Sequence, residues 1–153
     1  MTDATVSESA DDPGAHMRVE IRMSFRSDVR YIESVVERVT RECEVHEFTR
    51  QHCSLNVPVA LTEAISNAIL RGNRGDVEKE VRVFARVDGD GLVLEVADEG
   101  NGFDLDDCTI DASSPDNLER EDGRGLFLMR SLMDRVERFN DGGNVVRLTL
   151  RHP

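Results

Sequence analysis

The chain has 153 residues, 31 acidic against 19 basic side chains and a formal net charge of −12, a length that suits one domain. The acidic balance argues against a broad grip on a nucleic-acid backbone or an anionic membrane, both of which need clustered Lys and Arg. No apolar run is expected to reach the roughly 18–20 residues of a membrane helix, the start lacks a signal-peptide pattern, and three cysteines at irregular spacing make no disulfide framework. A cytoplasmic chain is the resulting expectation.

Residues 1–16 read as a disordered acidic tail, holding Asp3, Glu8, Asp11 and Asp12 with no Lys or Arg. Residues 17–153 form the expected domain. Val19, Ile21, Met23 and Phe25 alternate with polar residues, the period of a half-buried strand. Ser27 is the expected N-cap of a helix whose apolar face is Val29, Ile32, Val35, Val36 and Val39. After an ambiguous stretch over 41–56, Pro58 suits the first turn of a second helix. Ala60, Leu61, Ala64, Ile65, Ala68 and Ile69 recur along it at helical spacing, and Gly72 sits where the helix should stop.

A hairpin follows: Val81, Val83, Ala85 and Val87, a turn at Asp88-Gly89-Asp90-Gly91, then Leu92, Leu94 and Val96. Residues 98–125 are rich in Gly, Asp and Ser, too long a connection for a compact domain without a functional reason. A last helix carries Leu126, Met129, Leu132 and Met133 on one face. A closing hairpin runs through about Val136 to Asn140, the turn Asp141-Gly142-Gly143, and Val146, Leu148 and Leu150. The sum is an α+β fold: a two-layer α/β sandwich of mostly antiparallel strands with helices on one face.

Three short motifs could carry chemistry. Glu63 and Asn67 lie four residues apart, so they share one face of the second helix. A carboxylate there can take a proton from a hydroxyl, and an amide oxygen can coordinate a hard cation. Asp98-Glu99-Gly100-Asn101-Gly102-Phe103 directly follows a strand. Its two glycines admit a flat ligand close to the backbone, and a buried Asp can accept from an exocyclic amine. Gly123-Arg124-Gly125-Leu126 opens the last helix, where backbone N–H groups suit a phosphate. An EF-hand starting at Asp98 fails, because Gly100 and Gly102 stand where oxygen ligands belong.

In this order the three motifs resemble those of the GHKL ATPase superfamily, or Bergerat fold, and most closely its anti-sigma-factor serine kinases. The resemblance covers about residues 18–151. It implies a histidine-kinase-like ATPase fold, ATP and Mg²⁺ as cofactors, and phosphorylation of a serine on an anti-anti-sigma antagonist. A sigma factor would be the other partner. It implies that Asp98 meets the adenine amine beside Gly100 and Gly102, that Asn67 ligates Mg²⁺, and that Glu63 is the general base. It further implies that Asn73 lies near the nucleotide and that Gly123, Arg124, Gly125 and Leu126 close on the phosphates as the hinge of a lid over 104–122. Two departures stand out: Arg71 where many relatives have His, and an acidic lid.

The alternative reading is an ATP-binding interaction module without kinase activity. Neither direct nucleic-acid binding nor membrane attachment is expected, and a homodimer would fit the family although no pattern marks its face. A sensor histidine kinase would need a phosphoacceptor hairpin, which His46-Glu47-Phe48 does not supply. A metal site from Cys43, His46, His52 and Cys53 lacks Cys-x-x-Cys spacing. The charge itself is localised: the tail contributes −4, and residues 104–122, eight acids against Arg120, contribute −7.

Overall fold

The computed structural model describes residues 3–9, 18–100 and 121–153. Within them lie strands β1 (Asp3–Ser9), β2 (Arg18–Arg26), β3 (Glu80–Val87), β4 (Gly91–Ala97), β5 (Arg135–Asn140) and β6 (Asn144–Arg151). The helices are α1 (Ile32–Val45), α2 (Val57–Asn67) and α3 (Glu121–Leu132). The strands form one six-stranded sheet in the order β1-β2-β3-β4-β6-β5, every described pairing antiparallel.

The alternation read from the sequence sets which face is covered. Val19, Ile21, Met23 and Phe25 of β2, Val81 to Val87 of β3 at every second residue, Leu92, Leu94 and Val96 of β4, and Val146, Leu148 and Leu150 of β6 are buried in one core. The helices close that core with Val35, Val39 and Cys43 of α1, Ala60, Leu61, Ala64 and Ile65 of α2, and Leu126 and Met129 of α3. The expected two-layer sandwich is the observed one. The opposite sheet face carries arginines stacked on aromatic rings, Arg22 over Phe84 at 4.9 Å and Arg147 over Phe139 at 4.8 Å.

Four local readings change. Asp3–Ser9, expected as disordered tail, pair with β2 from Asp3 opposite Ser24 to Ser9 opposite Arg18. The free edge of β2 offers a row of backbone donors and acceptors, and Ala4-Thr5-Val6, without Gly or Pro, can answer it. Asp28, not Ser27, caps the first helical turn, a 3₁₀ turn over Val29–Tyr31, by accepting from the Arg30 N–H at 3.0 Å. Ser27 is instead buried, its hydroxyl donating to the Lys79 carbonyl at 2.9 Å.

The third change concerns length. α2 is the centre of a continuous helical run, His52–Gly72, with π-helical turns over His52–Asn56 and Ala68–Gly72. That run is long and apolar enough to cross a membrane, although no such run was expected from the sequence. Here Val57, Ala60, Leu61, Ala64, Ile65, Ala68 and Ile69 pack into the core, while Leu55 and Leu70 are exposed. Finally, α3 begins at Glu121, so Gly123, Arg124 and Gly125 lie inside its first turns rather than ahead of it.

Candidate functional site

The C-terminal end of β4 delivers Asp98 into a tightly packed corner where only 4% of the residue is exposed. Its Oδ1 accepts from the Gly100 N–H at 2.8 Å, the Asn144 side-chain amide at 3.0 Å and the Asn144 N–H at 3.4 Å. Its own N–H donates to the Asn144 carbonyl at 2.9 Å. Oδ2 takes no hydrogen bond among the described residues. Burial raises the Asp98 carboxyl above the usual carboxylate range, and the bonds from Gly100 and Asn144 pull the other way.

Glycines from three separate segments make that corner possible. A Cβ on Gly72 would collide with the Asp98 carboxylate, one on Gly100 with the Gly72 carbonyl, and one on Gly143 with the Asp98 carbonyl. Gly143 also sits at φ +154°, which L side chains rarely adopt. The π-helical turn is what presents Gly72 here: its wider winding is closed by the bond from the Asn73 N–H to the Ala68 carbonyl, 2.8 Å.

Asn73, expected near the nucleotide, is fully buried beside the Asp98 turn with its side-chain amide engaged. Nδ2 donates to the Ser27 hydroxyl at 2.6 Å and the Glu80 carbonyl at 2.9 Å, while Oδ1 accepts from the Glu99 N–H at 2.7 Å. It therefore ties β2, β3 and the Asp98 turn together. Gly102 and residues 104–120 of the expected lid lie outside the described residues.

The other motifs do meet. Glu63, Ser66, Asn67 and Arg71 of the His52–Gly72 run face Arg124, Gly125 and Leu128 of α3 across a cavity of about 580 Å³. Gly125 is the contact point: a Cβ there would stand 3.0 Å from Glu63 Oε2 and 3.2 Å from Asn67 Nδ2. Leu126 turns the other way, into the core at 6% exposure. Gly123 lies one turn-start earlier on α3. The larger cavity, about 600 Å³, opens on the opposite sheet face beside Arg22, Phe84, Phe139 and Arg147, and none of the expected site residues lines it.

The two centres share one helical run. Gly72 touches Asp98, and Glu63 lies nine residues earlier, about 13 Å along the axis at 1.5 Å per residue. A ligand spanning both must be elongated, with a hydrogen-bond donor at one end and anionic groups at the other, toward Arg124 and the start of α3. A family of histidine kinase-like ATPase domains matches residues 25–150.

The chain belongs to that family. It is 36% identical over 100 residues to the serine-protein kinase RsbW of Bacillus subtilis, a match covering 61% of this chain and 62% of that one. It is 31% identical over 99 residues to RsbW of Listeria monocytogenes (61% and 63%) and 35% identical over 99 residues to RsbW of Bacillus licheniformis (61% and 62%). The chain thus spans about three fifths of the length of these curated relatives. The fold and the superfamily resemblance agree with the family match.

Two contributors to the site escaped sequence reasoning. Asn144 follows a hairpin turn and carries no motif signal; only its neighbour, the strained Gly143, hints at a close approach. Gly72 was read as a helix stop, which it is, but its contact with Asp98 is invisible in one dimension. Two residues of the rejected metal site, Cys53 and His46, have other partners, and the Cys43 thiol is held protonated. The Cys53 thiol donates to the Phe48 carbonyl at 3.7 Å, His46 Nδ1 lies 2.9 Å from the Glu42 carbonyl, and burial pushes the Cys43 thiol up to about 12.

Proposed function

We propose that this domain binds ATP with Mg²⁺ and transfers the terminal phosphoryl group to a serine of an antagonist protein, as an anti-sigma-factor kinase in the cytoplasm. The observation that supports it is the joining of Glu63 and Asn67 to Gly125 and Arg124 in one cleft, on the same helical run that reaches Asp98. The residues fit the ligand. Asp98 Oδ2 is an acceptor without a partner among the described residues, suited to the exocyclic amine of adenine. Gly72 and Gly100 keep side chains out of the corner around it.

At the other end, Arg124 and the first N–H groups of α3 suit phosphate oxygens. Glu63 is placed to take the proton of the attacking hydroxyl as the new O–P bond forms and the bond to the ADP leaving group breaks. Bound Mg²⁺ would neutralise phosphate charge. Asn67 offers it one amide oxygen, and among the described residues no group of three or more His, Cys, Asp or Glu side chains is arranged for a metal. The remaining ligands would be phosphate oxygens and water.

The partners of this reading are a sigma factor, held by the unphosphorylated system, and the anti-anti-sigma antagonist; the protein would act as a homodimer, without contacting nucleic acid or a membrane. Incubation of the purified protein with labelled ATP, Mg²⁺ and a candidate antagonist tests it. Label on an antagonist serine is the expected result. Nucleotide binding without transfer would instead support an ATP-gated interaction module.

A further inference from the structure

Asn144 has the oddest hydrogen-bond account in the molecule. It is 5% exposed, at the first position of β6, and its side-chain amide donates 3.0 Å to Asp98 Oδ1. Its N–H points at the same oxygen and its carbonyl accepts the Asp98 N–H. Its own Oδ1 is buried with no hydrogen-bond partner among the described residues. A buried amide oxygen left unpaired is costly to a fold, which makes its place at a ligand corner informative.

The arrangement fixes what Asp98 can show a ligand. With the Gly100 N–H, the Asn144 amide and the Asn144 N–H all directed at Oδ1, that oxygen must remain an acceptor for them. Oδ2, which takes no hydrogen bond among the described residues, is the oxygen nearest Gly72. The oxygens left over in the Asp98–Asn144 pair are therefore two acceptors, beside the second N–H of the Asn144 amide, and at Asp98 itself only an acceptor remains. A 6-amino purine brings an NH₂ group to such a pair. A 6-oxo purine brings a carbonyl oxygen instead, acceptor against acceptor.

We infer that Asn144 is a positioning residue that sets the base preference of this site: it holds Asp98 by Oδ1 so that one unprotonated acceptor, Oδ2, selects a 6-amino over a 6-oxo purine. The inference rests on the nucleotide reading of the cleft. It has a consequence in the native protein. When Asp98 takes up a proton, the proton must go to Oδ2, because Oδ1 is surrounded by donors. Oδ2 then donates instead of accepting, and discrimination against the oxo purine is lost. The charged groups around Asp98 are Lys79, which favours the carboxylate, the adjoining Glu99, whose carboxylate accepts the Glu80 N–H, and Glu80 at the start of β3.

The test compares ATP with inosine triphosphate, which differs at the 6-position and in the proton on N1. Dissociation constants are measured by calorimetry across pH for the wild type and for Asn144→Ala and Asn144→Asp. The wild type should prefer ATP by at least about tenfold at pH 7.5, the value of one unmet hydrogen bond, and the preference should collapse on acidification through the Asp98 titration. Asn144→Ala should shrink the ratio severalfold and move its collapse to higher pH. Asn144→Asp, which swaps a donor for an acceptor at the same size, should do so more strongly. Folded variants with the wild-type ratio and pH profile would overturn the assignment to Asn144 while leaving nucleotide binding intact. A wild type that binds both triphosphates equally, or shows no change of ratio with pH, would overturn it without any variant. A wild type that binds neither removes the nucleotide reading, and this inference with it.

Discussion

The two ends of the proposed nucleotide site are built on opposite plans. Around Asp98 everything is committed: Asp98, Asn73 and Asn144 are each at most 5% exposed, and glycines 72, 100 and 143 leave no room for a methyl group. Around Glu63 and Asn67 almost nothing is committed, since neither side chain makes a hydrogen bond or ion pair among the described residues and both face a cavity of about 580 Å³. The first end is organised before a ligand arrives, which suits recognition of a rigid flat ring. The second leaves its polar groups free for charged oxygens, and gives up local order to do so. Substitutions should therefore separate the two: those that crowd or unpair the Asp98 end should lose stability and binding together, and those at the Glu63 end should lose chemistry alone.

The sharpest separation comes from Glu63→Ala. Loss of a general base lowers transfer by roughly 10²–10⁴-fold. Because Glu63 has no partner to strand among the described residues, the melting temperature and ATP affinity should stay close to wild type. Single-turnover transfer measured beside calorimetric binding checks both halves, and a parallel fall in affinity would mean that Glu63 holds ligand rather than acting on it.

At the packed end, Gly72→Ala should abolish ATP binding and lower stability by about 1–3 kcal/mol, the cost of forcing a methyl group into a filled space. Denaturant unfolding and nucleotide titration read the two losses, and normal stability would show that the corner around Asp98 can relax. Asn73→Ala should cost about 1–3 kcal/mol by leaving the Glu80 carbonyl and the Glu99 N–H without their partner. ATP affinity should weaken with it, because the turn carrying Asp98 loses its tie to β2 and β3.

How much of this was legible beforehand follows the same division. Period-two and helical spacing located the core strands β2, β3, β4 and β6 and the apolar faces of α1 and α2, since those patterns are consequences of which face is buried. Glu63, Asn67 and Asp98 were visible because local spacing alone puts them on a helix face or a strand end. The bracing role of Asn73 was not legible: it lies at a crossing of three segments, and its hydrogen bonds to Ser27 and Glu80 depend on tertiary packing. Asn144 was missed for the same reason, lying 46 residues from Asp98. The strand over Asp3–Ser9 was missed because composition speaks of core burial, while an edge strand answers a neighbour's backbone.

Gly125→Ala refines the comparison, being the same chemical change as Gly72→Ala at the open end. Within α3, Ala is favoured over Gly by about 1 kcal/mol, so stability should hold or rise slightly. The new methyl would stand 3.0 Å from Glu63 Oε2 and 3.2 Å from Asn67 Nδ2, both at the ends of flexible side chains that can give way. Transfer should slow severalfold as Glu63 shifts, with thermal unfolding unchanged or higher. Loss of stability there would mean that the open end is packed as firmly as the other.

The smallest expected effect isolates what the packed end gives up. Burial raises the Asp98 carboxyl above its ordinary value of 3.8, outweighing its hydrogen bonds. An acid whose folded value is raised contributes its full share of stability below 3.8 and loses it as pH climbs through the raised value. At neutral pH the buried carboxylate is therefore a net burden on the fold. Asp98→Asn keeps a carbonyl oxygen for Gly100 and Asn144 and removes the charge, so it should melt slightly higher than wild type at pH 7. That gap should narrow as pH falls and close below about 4, where the wild-type carboxyl is itself protonated. ATP affinity should fall nonetheless, because the group facing the ligand changes from acceptor to donor. Unfolding curves at a series of pH values decide the matter: a variant less stable at pH 7 would show that the three bonds to Oδ1 outweigh desolvation. A more stable variant that binds worse would establish that this corner keeps a strained, charged acceptor for the sake of its ligand.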